Sequence, residues 1–384
     1  MRLDEEGQGE LARADPRQVL QQPPPVLLDE WQRVPQLWDA VRRAVDDGAP
    51  SGQFLLTGSA TPPQGLEDPP RHSGAARIDV LRMRPMTLVE RLDTGSVISL
   101  SDLLTESDLS IEGHSTFSLP DYVREIVMSG FPGLRKYEGR AHRTRLDGYI
   151  SRIIDRDFED EFGQEVRRPE ALRRWLMAYA AATASPTSLE KVRKAAFPGE
   201  SGVAQSTLTR YRDVLMRLFI LDPIDGWSPS GNILKGLGQS PKHHLADPAL
   251  AARLLGLTES RLLSGKIGSI SIPGTDPILG ALFESLVALS VRVFAQAAEA
   301  RTFHFRRRDG RREVDFIVES SSGEIVALEV KLASEVTDKD CRHLNWLQNE
   351  LGDRVRQKVV VSTGPYAYRR RDGVAVIPLA LLGP

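Results

Sequence analysis

Cysteine is almost missing from this chain: Cys341 is the single one in 384 residues. A lone thiol cannot build an internal disulfide framework, which excludes the small stapled folds of secreted proteins and fits a reducing cytoplasm. Net charge is missing too, with 50 Lys and Arg against 52 Asp and Glu and a formal charge of −2. Such a chain has no overall field that draws nucleic acid, so any such binding has to come from local patches. No apolar h-region opens the sequence, and the most apolar stretch, 279–297, is interrupted by Glu284 and Arg292. That stretch is expected to be a buried helix and not a span, in a soluble, cytoplasmic protein without a membrane partner.

What is present suffices for ordinary cores. Apolar residues make up 41% of the chain, and at about 150 residues per domain the length suggests two or three domains. The stretch LGALFESLVALSVRVFAQA reads as an amphipathic helix. After it, RTFHFRRRDGRREVDFIVESSSGEIVALEVKLA (301–333) reads as strands of alternating apolar residues joined by a Ser-rich turn. Asp315 falls near the start of one strand, with Glu329 and Lys331 on the next. Side chains alternate along a strand, so Glu329 and Lys331 share a face, on either side of the oppositely directed Val330. Two carboxylates and an ammonium would then converge, a set that can hold a hard cation and orient a water. The alternative is a solvated hairpin that carries these charges by chance.

D-(x13)-E-V-K behind a helix that bears Glu284 resembles the PD-(D/E)xK restriction-endonuclease-like family. The resemblance implies a Mg²⁺ site of Asp315, Glu329 and the helical acid Glu284, with Lys331 as the catalytic lysine. The residue before Asp315 is Val314 where the motif has proline.

The N-terminal part carries a second pattern. VLLDEWQ (26–32) is a short apolar strand ending in Asp29 and Glu30; VPQLWDAVRRAVDDG is a helix with Gly48 near its stop; FLLTGSA (54–60) is a second apolar strand. Strand, helix, strand with polar residues at both carboxyl ends is a doubly wound unit, and ligands sit at those ends. These segments and RIDVLRMRPMTLVE, read as a strand running into a helix that ends about Asp93, resemble prokaryotic AAA-type ATP-binding proteins with a C-terminal domain of unknown function. By that resemblance Asp29 and Glu30 match the Walker B acids, Asp29 toward Mg²⁺ and Glu30 as the catalytic acid that polarises water. Thr57 and Ser59 match the sensor strand, and Arg71 or Arg77 in the Pro- and Gly-rich loop 61–77 would meet phosphates, so ATP and Mg²⁺ are the implied cofactors. A strand-end acid pair that caps the next helix is the plainer alternative.

The family's P-loop, G-x-x-x-x-G-K-S/T, occurs nowhere in this sequence. Without its backbone cradle and lysine, the β- and γ-phosphates lose their main anchors. Either the chain starts after the loop of a longer protein or its ATPase is inactive; RLDEEGQGELARADP resembles the segment that follows the P-loop helix in the relatives, which favours a truncated ATP-binding domain with an uncovered sheet edge over 1–95.

Between the two patterns, 96–169 reads as a Ser-rich linker and a helical segment, with ISRIIDRDF resembling the start of the family's C-terminal region. Residues 170–270 have the spacing of a winged helix, three helices followed by wing-like strands. In the third helix Leu208, Tyr211, Leu215 and Leu218 form the buried stripe, which leaves Thr209, Arg210 and Arg212 to face phosphates or base edges. His243 and His244 are adjacent and face apart, so they are not expected to share a metal. Arg306, Arg307, Arg308, Arg311 and Arg312 crowd the approach to Asp315, and Arg307 and Arg311 are candidate DNA contacts; a solvated hairpin tip is the alternative.

The expected fold is α/β: an incomplete doubly wound P-loop-type sheet, a helical and winged-helix middle, and a restriction-endonuclease-like α/β domain over 275–384. The expected function is that of an AAA-type ATP-binding family protein with a nucleic-acid-associated regulatory or defence role. A non-catalytic DNA- or protein-binding adaptor and a Mg²⁺-dependent nuclease are the alternatives.

Overall fold

Asp15 accepts hydrogen bonds from the backbone N–H groups of Arg17 and Gln18 at 3.0 and 3.2 Å, and with Pro16 in the first turn it divides helix α1 (Glu6–Ala14) from α2 (Pro16–Leu20). Strand β1 (Val26–Asp29), helix α3 (Gln36–Asp46) and strand β2 (Phe54–Thr57) follow. In the computed structural model, which describes residues 1–58, 77–92, 95–157, 169–199, 203–229, 239–265, 278–307 and 309–384, β1 and β2 are parallel, in register from Val26↔Phe54 to Asp29↔Thr57. On the far side of β1 the Leu3 N–H donates to the Asp29 carbonyl at 3.0 Å and the Asp29 N–H to the Met1 carbonyl at 2.9 Å. Leu28, Trp31, Leu37 and Val41 pack with Leu3, Ala12 and Val19 as the core of this unit, which is built on Met1–Met83.

The expected strand over 78–87 does not form: those residues hold no strand, and Val80, Leu81 and Met83 are exposed. Only the helix that was to follow is present, as α4 (Leu88–Leu92).

The second unit is built on Arg84–Ile154, Arg168–Thr209 and Ile220–Pro384. Its first elements are β3 (Ile98–Ser99), α5 (Leu100–Thr105), β4 (Gly113–His114), α6 (Leu119–Met128) and α7 (Gly139–Arg152). The Ser-rich stretch thus holds one helix between two short strands. Then come α8 (Pro169–Ala181), α9 (Leu189–Ala196) and α10 (Gln205–Arg217) where three helices are expected, the residues of α10 from Arg210 on belonging to the first unit. The segments after them pair antiparallel at the bridges Leu221↔Leu245 and Ile224↔Lys242, with further bonds from the Asp222 N–H to the His244 carbonyl and from the Ala246 N–H to the Ile220 carbonyl, both 2.9 Å, but they form no sheet of their own among the described residues.

Helices α11 (Pro248–Leu254), α12 (Glu259–Ser264) and α13 (Ile278–Ala297) lead into β5 (Arg301–Arg306), β6 (Glu313–Glu319), β7 (Ile325–Lys331), α14 (Asp338–Leu351), β8 (Val355–Ser362), β9 (Tyr366–Arg369), β10 (Ala375–Pro378) and β11 (Leu382–Gly383). One seven-stranded sheet runs β4-β9-β10-β8-β7-β6-β5, and β11 pairs with β3. β5, β6 and β7 are antiparallel to one another, while β7, β8 and β10 run parallel. Between β7 and β8 the chain crosses over through α14, as parallel neighbours require. β7 is buried at every position before Lys331, the pattern of a strand covered on both faces. Cys341, Leu344 and Leu347 of α14 pack against Ile317, Ala327 and Val360, and α13 and α5 also contact β7.

By length and hydropathy α13 passes as a candidate span, but 72% of its apolar window is buried within the fold. Both charges that interrupt it are paired: Glu284 with Lys242 at 2.6 Å and Arg292 with Asp222 at 3.0 Å.

Candidate functional site

Parallel register sets Asp29 beside Thr57 at the carboxyl ends of β1 and β2, and the Thr57 hydroxyl donates to Asp29 Oδ1 at 2.7 Å. Glu30 follows in the left-handed region at φ 56°, a conformation that costs a non-glycine residue about 1 kcal/mol or more and gathers at functional sites. Its carboxylate accepts from Gln32 Nε2 at 2.6 Å. Beyond Thr57 the chain passes so close to the Gln32 side chain that a Cβ at Gly58 would collide with it. Asp29, Glu30 and Thr57 thus lie together at one sheet end. Ser59 and Arg71 lie outside the described residues, and Arg77 pairs with Asp46 at 2.9 Å.

The second constellation is in the seven-stranded sheet. Regular β6–β7 pairing runs from Glu319↔Ile325 to Phe316↔Leu328. Past that point the Asp315 side chain takes over, with Oδ2 accepting the Val330 N–H at 2.8 Å. Glu329 and Lys331, on either side of Val330, pair with each other at 2.8 Å. The structure therefore brings Asp315, Glu329 and Lys331 together. Glu284 joins them through a residue that sequence reasoning missed: the Lys242 ammonium lies 2.6 Å from Glu284 Oε1, 2.8 Å from Asp315 Oδ1 and 3.8 Å from Glu313 Oε1.

Lys242 is 1% exposed. Its N–H donates to the Ile224 carbonyl at 2.8 Å and its carbonyl accepts the Ile224 N–H at 2.9 Å, which fixes its backbone. The partner segment is fixed in turn on β5. The β5–β6 register skips His304, whose backbone instead bonds Asp225 and Trp227 at 2.9 and 2.7 Å. His243 and His244 diverge: His243 Nε2 donates to the Thr187 carbonyl at 2.6 Å, and His244 Nδ1 hydrogen-bonds Ser285 Oγ at 3.3 Å.

The charges of the cluster set each other's protonation. Burial alone would discharge Lys242, but Asp315, Glu284 and Glu313 outweigh it and hold the ammonium above its ordinary range. Asp315 lies below the usual carboxylate range: against burial stand Lys242, Lys331 and the Val330 N–H. Glu284 is pushed up to about 8 by burial and the charge of Asp315, more strongly than Lys242 draws it down. Glu329 is likewise pushed up to about 8, by burial and Asp315 against the pull of Lys331. Lys242⁺ and Asp315⁻ are the firmly charged members.

On α10, Thr209 and Arg210 are exposed, as the stripe predicts, and Leu208, Tyr211 and Leu215 are buried. Arg212 pairs with Asp213 at 3.0 Å. Between β5 and β6, Arg307 pairs with Asp309 at 3.5 Å, Arg311 is exposed, and Arg312 lies 5.4 Å above the Trp346 ring; Arg308 lies outside the described residues.

Residues 2–92 match the model of an AAA domain. The pair Asp29 and Thr57 lies inside this matched segment. Residues 119–261 match one domain of unknown function, DUF8612, and residues 279–382, which contain Glu284, Asp315, Glu329 and Lys331, match another, DUF4143. Uncharacterized proteins of Mycobacterium tuberculosis and Mycobacterium bovis are each 25% identical over 355 residues, covering 92% of this chain and 68% of theirs. No solved structure matches.

Lys242 gave no signal of its own in sequence. It lies in a stretch read as wing-like strands, 73 residues before Asp315, and only the pairing of its segment with Ile224 delivers it to the carboxylates.

Proposed function

We propose that this chain is an AAA-type ATP-binding family protein with a nucleic-acid-associated regulatory or defence role, whose C-terminal α/β part is of restriction-endonuclease-like kind. The observation that carries the nucleotide reading is the Thr57 to Asp29 hydrogen bond of 2.7 Å at the carboxyl ends of two parallel strands. This is where doubly wound sheets bind ligands, and it lies in the segment that matches the AAA model.

The residues fit one half of a Mg²⁺-nucleotide site. Asp29 supplies an oxygen ligand oriented by Thr57, and Glu30 stands next to it, held by Gln32. The main anchors of the phosphate half are not in this sequence, which contains no G-x-x-x-x-G-K-S/T. When bound, Mg²⁺-ATP would supply the phosphoryl group and its counter-ion; this chain's contribution is to hold the ion with Asp29 and to orient that carboxylate through Thr57.

The order α13, β5, β6, β7, α14, β8, with Glu284, Asp315, Glu329 and Lys331 drawn to one place, supports the endonuclease-like reading of the C-terminal part. The exposed Arg307 and Arg311 support a nucleic-acid backbone as its ligand.

Titration of a fluorescent ATP analogue with and without Mg²⁺ tests the nucleotide reading. Binding is expected to depend on Mg²⁺, to be weak, at about 1 mM, and to be lost in Asp29→Ala. No binding, or binding indifferent to Asp29→Ala, sinks it.

A further inference from the structure

Glu284 from α13, Glu313 and Asp315 from β6, and Glu329 from β7 form the acidic set that a nuclease of this kind would use for its divalent ion. We propose that Lys242 is the resident cation of this set, and that the C-terminal part is a metal-independent, non-cleaving member of its fold that can grip a nucleic-acid backbone without cutting it. The inference rests on the endonuclease-like reading of this part and not on the nucleotide reading of the AAA segment.

Geometry makes ammonium and metal exclusive. Mg²⁺ demands oxygens at about 2.0–2.1 Å in an octahedron, and the oxygens it would have to draw in, Glu284 Oε1 and Asp315 Oδ1, already hold Lys242 Nζ between them at 2.6 and 2.8 Å. Lys242 is enclosed: it is 1% exposed, its backbone is tied to Ile224 in both directions, and the ring of Phe316 lies 5.7 Å from its Nζ. The other oxygen of Asp315 is taken by the Val330 N–H, and Lys331, the group that would orient a water, is held by Glu329. Asp315 and Lys331 thus each have partners within the protein, while the buried Glu329 Oε2 has no hydrogen-bond partner among the described residues; an internal ammonium neutralises the acids without the Lewis acidity that cleavage requires.

Mn²⁺ binding followed by electron paramagnetic resonance tests this in the full chain, in an Asp29→Ala background so that the AAA segment contributes no ligand. With Lys242 present, no bound Mn²⁺ is expected that Glu284→Gln or Asp315→Asn removes, and no Mg²⁺- or Mn²⁺-dependent nicking of supercoiled plasmid above the level of Lys331→Ala. Lys242→Met, which keeps length and removes charge, is expected to gain one Mn²⁺ site that Asp315→Asn abolishes. A Mn²⁺ site in the chain that retains Lys242, removed by Glu284→Gln or Asp315→Asn, overturns the proposal, as does a folded Lys242→Met chain that gains none. Should Lys242→Met fail to fold, the comparison of the lysine-bearing chain with Glu284→Gln decides alone. A failed nucleotide titration leaves these readouts untouched.

Discussion

Lys242 Nζ and Asp315 Oδ1 lie 2.8 Å apart across 73 residues of sequence, in a place where the lysine is 1% exposed. Taking two charges out of water is costly, and the pair offsets that only while both partners are present. Lys242→Ala or Asp315→Asn should each cost up to about 3–5 kcal/mol, because each removes a principal partner of a buried charge and leaves it to the weaker compensation of Lys331 or of Glu284 and Glu313. Urea denaturation followed by tryptophan fluorescence reads the loss. A cost under about 1 kcal/mol would mean that the cluster behaves as a solvated surface pair and is not buried.

The same burial sets a pH dependence. Glu284 and Glu329 sit at about 8 when folded against an ordinary value of 4.5, so the folded chain holds more protons than the unfolded one in that window and loses stability as pH rises through it. His244 and His304 act in the opposite sense. His304 is pushed down to about 3 and His244 well below its ordinary 6.5, by burial and by Lys242, so their contribution grows as pH rises to that value. Between about 6.5 and 8 these two carboxylates contribute a slope of up to about 1.4 kcal/mol per pH unit each, opposed by neither histidine. Melting temperatures should therefore fall across that interval, and less steeply in Glu329→Gln. A melting temperature that holds steady or climbs there contradicts these assignments.

Arg307 and Arg311 are the candidate phosphate-binding side chains beside the cluster, and both are exposed. Replacing both with Ala should weaken binding of a labelled DNA duplex alike for all sequences. It should also reduce the slope of log K against log salt by about 0.9 for each phosphate no longer neutralised. Fluorescence anisotropy at several salt concentrations measures this, and an unchanged slope removes the two arginines from the interface.

Local pattern gave α13 and the β6–β7 hairpin in their places, because 3.6- and 2-residue periods are written in consecutive residues. It failed at RIDVLRMR, which alternates like a strand but pairs with no strand among the described residues; alternation without a partner does not make a strand. It failed again in the Ser-rich stretch before α6. There β3 pairs with β11 and β4 with β9, strands that lie at the far end of the chain, and no local composition announces such a partner.

By itself the sequence determined that Asp29 and Thr57 end two apolar strands, and that Asp315, Glu329 and Lys331 fall on two more, since strand propensity and alternation act over a few residues. Only the tertiary structure decided that Asp29 and Thr57 touch, through parallel register, and that Lys242 enters the acidic cluster, through its pairing with Ile224. The physical reason is that a buried charge seeks whatever opposite charge the folded backbone sets within reach, and that choice depends on contacts between residues far apart in the chain.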